Sequence, residues 1–112
     1  METKRKQQRE HLVNFHIAGF NYYDGVLCFS KLKIGTKLDL EHEADNKFDH
    51  RAVALYYKGY KLGFIPRTEN RIFYKLVKMG HENLLDLRIQ RIDTNAHPEQ
   101  QVAVVAHLLP KE

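Results

Sequence analysis

With 112 residues, 43% of them apolar and 29% charged, the chain has the size and composition of a single soluble globular domain. It has no apolar run long enough to span a bilayer, no apolar core for a secretory signal, and in Cys28 no partner for an internal disulfide. The lone cysteine points to a reducing, cytoplasmic setting, and the formal net charge of +4 admits a polyanionic partner.

The elements can be read in chain order. Residues 1–10 are polar and charged (Lys4, Arg5, Lys6 and Arg9 against Glu2 and Glu10), which predicts a flexible basic tail ahead of one domain over 11–110. His11 to Phe20 reads as a strand with Val13, Phe15 and Ile17 on one face. Asn21-Tyr22-Tyr23-Asp24-Gly25 breaks it. Val26, Phe29 and Leu32 share a helical face, which suggests a short helix or turn. Lys37 to Glu43 alternates, with Leu38 and Leu40 on one side and Asp39, Glu41 and Glu43 on the other. The stretch Asp45-Asn46-Lys47-Phe48-Asp49 is rich in side chains that bond their own backbone, so a sharp turn is expected there. Two apolar runs, Ala52 to Tyr57 and Tyr60 to Ile65, meet at Lys58-Gly59 as a tight hairpin.

Beyond Pro66, Thr68 is a suitable N-cap for a helix from about Glu69 to Met79, with Gly80 as its stop. On that helix Arg71, Lys75 and Lys78 share one face, while Ile72, Phe73, Leu76, Val77 and Met79 cover the side expected to dock. Leu84 to Ile92 predicts a strand with Leu85, Leu87 and Ile89 inward and Asp86, Arg88 and Gln90 outward. Asp93 to Glu99 is a loop, and Gln101 to Leu109 is a last strand. Five or six short strands with few short helices make the chain mainly β. The expected architecture is a small barrel, closed or partly open, with a two-layer α+β sandwich as the alternative.

Charge is unevenly placed. Asp39, Glu41, Glu43, Asp45 and Asp49 crowd one segment, and Lys58, Lys61, Arg67, Arg71, Lys75 and Lys78 crowd a later one. Charge runs are usually solvated faces, and aromatic residues are usually core. Here, though, Tyr22, Tyr23, Phe48 and Phe64 sit at turns, beside Arg67 and the basic helical stripe. Aromatics that stack bases, next to cations that track phosphates, are the ingredients of a nucleic-acid surface, DNA or RNA. The competing reading is a protein-interaction adaptor that docks a basic partner on the acidic strand 39–43. Enzymatic readings find little support. Glu41 and Glu43 point away from His42 in a strand, so E-H-E-x-D does not converge on a metal. Cys28 has no base at a telling spacing, and no phosphate-cradling loop or nucleophile elbow is present. No catalytic residue, metal or cofactor is expected.

The string Asp45-Asn46-Lys47-Phe48-Asp49-His50-Arg51-Ala52-Val53-Ala54-Leu55, then Gly59, then Leu62-Gly63-Phe64-Ile65-Pro66-Arg67, resembles the HIRAN domain. Tyr22-Tyr23 followed by Gly25 is similar to that family's early Tyr-Tyr-x-Gly segment. The resemblance covers roughly residues 12 to 109. It implies an OB-like β-barrel of five to six strands that binds DNA, favouring single strands or 3′ ends, in DNA repair or replication-fork processing. In eukaryotic members the domain precedes a Swi/Snf-type helicase. No helicase motif follows here, so the expectation is a stand-alone domain, as in bacterial and phage members, served by a helicase or nuclease encoded separately.

Carried across, the resemblance has Tyr22 stacking a terminal base and Phe48 replacing a family tyrosine in the same pocket. Asp49 would bind the terminal 3′-hydroxyl, Asn46 would shape the turn, and Arg67 would meet a phosphate. Tyr23, Phe64, Arg71 and Lys75 complete the expected DNA-binding set. This chain departs from the end-binding pattern at three places: Asn21 replaces an arginine, Phe64 a histidine, and Phe48 a tyrosine.

Overall fold

The computed structural model describes residues 8–111. Most of the expected basic tail lies outside them, and Glu10 already belongs to the first strand. The strands are β1 (Glu10–His16), β2 (Lys37–His42), β3 (Val53–Tyr57), β4 (Tyr60–Phe64), β5 (Leu85–Ile92) and β6 (Val102–Leu108). All pairings among them are antiparallel, in the order β1-β6-β5-β2-β3-β4. A short helix, α1 (Gly25–Cys28), follows the first strand, and α2 (Asn70–Lys78) lies between β4 and β5.

The single sheet curls until its edges nearly meet, which is the barrel-like alternative rather than the sandwich. β1 ends four residues before the expected Phe20. Past its end the chain still bonds β6 through Ile17 N–H to the Val102 carbonyl (3.0 Å) and then changes partner. Ala18 and Phe64 exchange both backbone hydrogen bonds at 2.9 Å, a bridge that ties the β1 edge to the β4 edge. Gly63 makes that approach possible. Its φ is 142°, and a Cβ there would run into the Ala18 carbonyl and the Ile17 side chain.

Alternating apolar positions fill the interior: Phe15, Ile17, Leu38, Val53, Leu55, Leu62, Leu87, Ile89 and Val104 belong to one buried cluster. α2 caps it through Phe73, which meets Phe15 edge to face at 6.1 Å. The hairpin at Lys58-Gly59 forms as expected, with φ of 45° and 87°, the paired positive values of a type I′ turn.

Several expectations need correction. The N-cap of α2 is Glu69 rather than Thr68, and its side chain makes no capping bond. Ile72 and Met79 are exposed, because a nine-residue helix docks mainly through Phe73, with Leu76 and Val77 half-buried at its edge. Val26 is 80% exposed, since α1 buries Cys28 and Gly25 instead. Asp86, expected outward, is buried: Arg88 Nε donates to both its oxygens (3.2 and 3.1 Å) and Arg9 approaches to 3.6 Å. A carboxylate can be shielded when guanidinium groups replace its water.

Candidate nucleic-acid interface

Two turns face each other across one end of the barrel. The first, Gly19–Tyr23, is held at both ends. Gly19 N–H donates to both carboxylate oxygens of Glu99 (3.1 and 3.0 Å), and Asp24 N–H donates to the Lys61 carbonyl (2.8 Å). This fixed turn leaves the Tyr22 ring 80% exposed. The Tyr23 ring turns inward, meets Phe64 edge to face at 5.6 Å, and has the Lys61 ammonium 4.6 Å from its centroid.

The second turn is built by Asn46. Its Oδ1 accepts from the backbone N–H groups of Phe48 (2.9 Å) and Asp49 (3.0 Å), an Asx arrangement that holds the Phe48 ring outward, 86% exposed. Asn46 Nδ2 donates to Glu43 Oε1 (3.2 Å), and Lys61 Nζ donates to Glu43 Oε2 at 2.5 Å. Burial works against the Lys61 charge, but the Glu43 hydrogen bond and carboxylate outweigh it and raise the ammonium pKa above its ordinary value. Glu43 therefore belongs to the floor beneath this turn, and the outward acidic face of β2 reduces to Asp39 and Glu41.

Asp49 is held from below. Its Oδ1 accepts the Arg51 N–H (3.0 Å) and its Oδ2 accepts Asn70 Nδ2 (2.9 Å), which also donates to the Arg51 carbonyl (3.1 Å). Arg67 clamps the same turn, with one terminal nitrogen donating to the Phe48 carbonyl (2.6 Å) and Nε 3.8 Å from Asp49 Oδ2. Burial pushes the Asp49 carboxyl up, but the Arg51 and Asn70 hydrogen bonds and the charges of Arg67 and Arg51 outweigh it, leaving the pKa below its ordinary value.

Between the turns lies a cleft of about 290 Å³, lined by Tyr22, Tyr23, Asn46, Phe48, Asp49, Phe64 and Arg67, with Ala18, Gly19, Ala52 and Ile65 beneath. Residues far apart in sequence thus converge as expected. Arg71 and Lys75 do not line it; they lie on the exposed face of α2, with no carboxylate in salt-bridge range among the described residues. Three supporting residues escaped the sequence reading: Lys61 and Glu43 under the cleft, and buried Asn70, which braces Asp49. Glu99 is a fourth, reaching the Gly19 turn from the β5–β6 loop. A polar residue that serves a distant backbone leaves no local pattern. Among the described residues no three His, Cys, Asp or Glu side chains converge as metal ligands. His42 instead pairs its Nε2 with the His50 carbonyl (2.8 Å).

A curled antiparallel sheet with open aromatic faces and one shielded carboxylate at a rigid rim defines a small β-barrel-like domain built around a preformed cleft. The HIRAN domain model matches residues 11–108, and the chain belongs to that family of DNA-binding modules. Two solved structures share the fold. A protein from Lactobacillus plantarum is 22% identical, with a TM-score of 0.70 over 89% of this chain and 94% of that one. The HIRAN domain of human HLTF is 16% identical, with a TM-score of 0.70 over 92% of this chain and 78% of that one. None of the curated proteins matches the chain. No helix among the described residues is long and apolar enough to cross a membrane.

Proposed function

We propose that this domain binds single-stranded DNA at its 3′ end, as a binding module with no catalytic step. The supporting observation is the cleft, where the open rings of Tyr22 and Phe48 flank the shielded carboxylate of Asp49. A terminal base stacks on those rings; each stacked base is worth about 1–3 kcal/mol. Its 3′-hydroxyl donates to Asp49 Oδ1, which has one protein donor and room for a second. Oδ2 is committed to Asn70 and lies near Arg67. A 3′-phosphate would bring negative charge against a carboxylate that stays ionised, so the site prefers a hydroxyl.

Arg67 is 67% exposed at the side chain and meets the last phosphate, while Arg71 and Lys75 extend a cationic path along α2. In this reading the domain works in the cytoplasm on exposed strand ends during repair or fork processing, beside a helicase or nuclease encoded separately. An adaptor role would rest on Asp39 and Glu41 alone.

The test is a titration with single-stranded DNA, duplex DNA and RNA, each with free or phosphorylated 3′ ends, at two salt concentrations. Single-stranded DNA with a free 3′-hydroxyl should bind tightest, and log affinity should fall with log salt by about 0.7 per phosphate contacted. Equal affinity for free and phosphorylated 3′ ends would refute end capture, and absence of any salt-dependent DNA binding would refute the whole reading.

A further inference from the structure

Lys61 holds both turns of the cleft without lining it. Its carbonyl accepts Asp24 N–H (2.8 Å), which closes the first turn. Its Nζ stands 4.6 Å from the Tyr23 ring centroid and 4.5 Å from that of Phe64, and donates to Glu43 Oε2 (2.5 Å). Glu43 is itself fixed at the start of the second turn. Its N–H donates to the Ala52 carbonyl (2.9 Å), its carbonyl accepts Asn46 N–H (3.1 Å), and its Oε1 accepts Asn46 Nδ2 (3.2 Å). Asn46 Oδ1 then holds the N–H groups of Phe48 and Asp49. An unbroken line of contacts, Tyr23 to Lys61 to Glu43 to Asn46 to Asp49, joins the two walls from below.

The ion pair at the centre of this line is shielded, with side chains 21% and 20% exposed. Desolvation offsets much of the attraction in such a pair, so its main contribution is a fixed geometry. That geometry matters for a ligand that touches both walls. The terminal base meets Tyr22 on the first wall, while Phe48 and Asp49 on the second meet the base and the 3′-hydroxyl. Stacking on Tyr22 brings the hydroxyl to Asp49 at a raised effective concentration only if the walls keep a fixed spacing. With the spacing loose, the Tyr22 and Asp49 contacts form independently and neither helps the other.

We propose that Lys61 and Glu43 are positioning residues that fix this spacing, so that stacking on Tyr22 and capture of the hydroxyl by Asp49 reinforce each other. The inference rests on the end-binding reading, and adds to it a coupling between two contacts and the residues that carry it. Lys61 anchors the Tyr23 ring and with it the turn that presents Tyr22; Glu43 anchors the Asn46 turn that presents Asp49. Neither residue touches the strand.

The test uses the whole chain and two short single strands that differ only in ending with a 3′-hydroxyl or a 3′-hydrogen. In the natural protein, loss of the hydroxyl should weaken binding about ten-fold. In Tyr22→Ala, whose ring is 80% exposed and not needed for folding, the same loss should cost only about two-fold. Repeated in a Lys61→Met background, the hydroxyl should be worth the same factor with or without Tyr22. Lys61→Met leaves Glu43 unpaired, so a second background combines it with Glu43→Gln, whose amide oxygen can still accept Asn46 Nδ2 while the link between the walls is gone. It should show the same equal factors. A background that weakens binding but keeps the ten-fold and two-fold effects has lost something other than coupling, and overturns this inference. So does a natural protein in which the hydroxyl is worth the same factor with and without Tyr22. End capture stands in both of those cases. Absence of any hydroxyl effect in the natural protein overturns both.

Discussion

Asp49 and Asp86 are both shielded carboxylates, with side chains 13% and 5% exposed, and both lie beside arginine. Asp86 sits near the start of β5, where Arg88 Nε spans both its oxygens and Arg9 closes from β1's side. The two guanidinium groups cover its oxygens and hold the ends of neighbouring strands together. Asp49 sits on a turn at the rim of a cleft, braced from below by a backbone N–H and the Asn70 amide. One acceptor position on Oδ1 remains unspent. Burial beside an arginine therefore does not distinguish a ligand-binding carboxylate from a structural one. What distinguishes them is where the remaining acceptor capacity opens: that of Asp49 faces the cleft, whereas Asp86 lies under arginine side chains.

The sharpest way to break this contrast is to remove each carboxylate in turn. Asp86→Ala should cost about 2 kcal/mol of unfolding free energy. That is less than a fully buried pair would cost, because Arg88 and Arg9 are nearly half exposed and can return to water. Its affinity for strand ends, measured on folded protein, should not change. Asp49→Asn should do the reverse. Affinity for a free 3′-hydroxyl end should fall about ten-fold, the loss of one hydrogen bond to a charged acceptor, and discrimination against a 3′-phosphate should vanish. Unfolding free energy should drop by only about 1 kcal/mol, since an amide oxygen can still accept the Arg51 N–H. If Asp86→Ala impaired binding as much as Asp49→Asn, the division of roles would be wrong.

Sequence legibility divides along the same line. The Lys58-Gly59 hairpin, the six strands and the Asn46 turn are local matters of φ preference, alternation and short-range hydrogen bonds, and these are written in contiguous residues. The convergence of Tyr22, Phe48, Asp49 and Arg67 was legible only through the family motif, because it depends on where a closing sheet brings separate turns. Glu43 shows the limit. Strict alternation puts it on the outward face of β2, yet the chain turns after His42 and carries its carboxylate to Lys61. Asp86 obeys the alternation and is still buried, because long arginine side chains fold over it. Alternation says which side of a sheet a residue faces, not what covers that side. Asn70 and Glu99 were invisible for a related reason: each serves a segment at least nineteen residues away.

The smallest effect is the one with acid, and it isolates Asp49 electrostatically. Burial favours the neutral acid, while the Arg51 N–H, the Asn70 amide and the arginine charges favour the carboxylate and prevail, so the folded-state pKa lies below the ordinary value. The unfolded chain then binds the proton more readily than the folded one. The resulting stabilisation is complete above the unfolded pKa, near 3.9, and fades as pH falls through the lower folded value. The stability difference between the natural protein and Asp49→Asn, measured by urea unfolding from neutral pH downwards, should stay flat to about pH 4 and narrow only below it. A difference that instead widens as pH falls from about 7 to 5 would mean that burial prevails and Asp49 is protonated more easily than an ordinary aspartate. Asp49 would then lack the fixed charge that sets a 3′-hydroxyl apart from a 3′-phosphate.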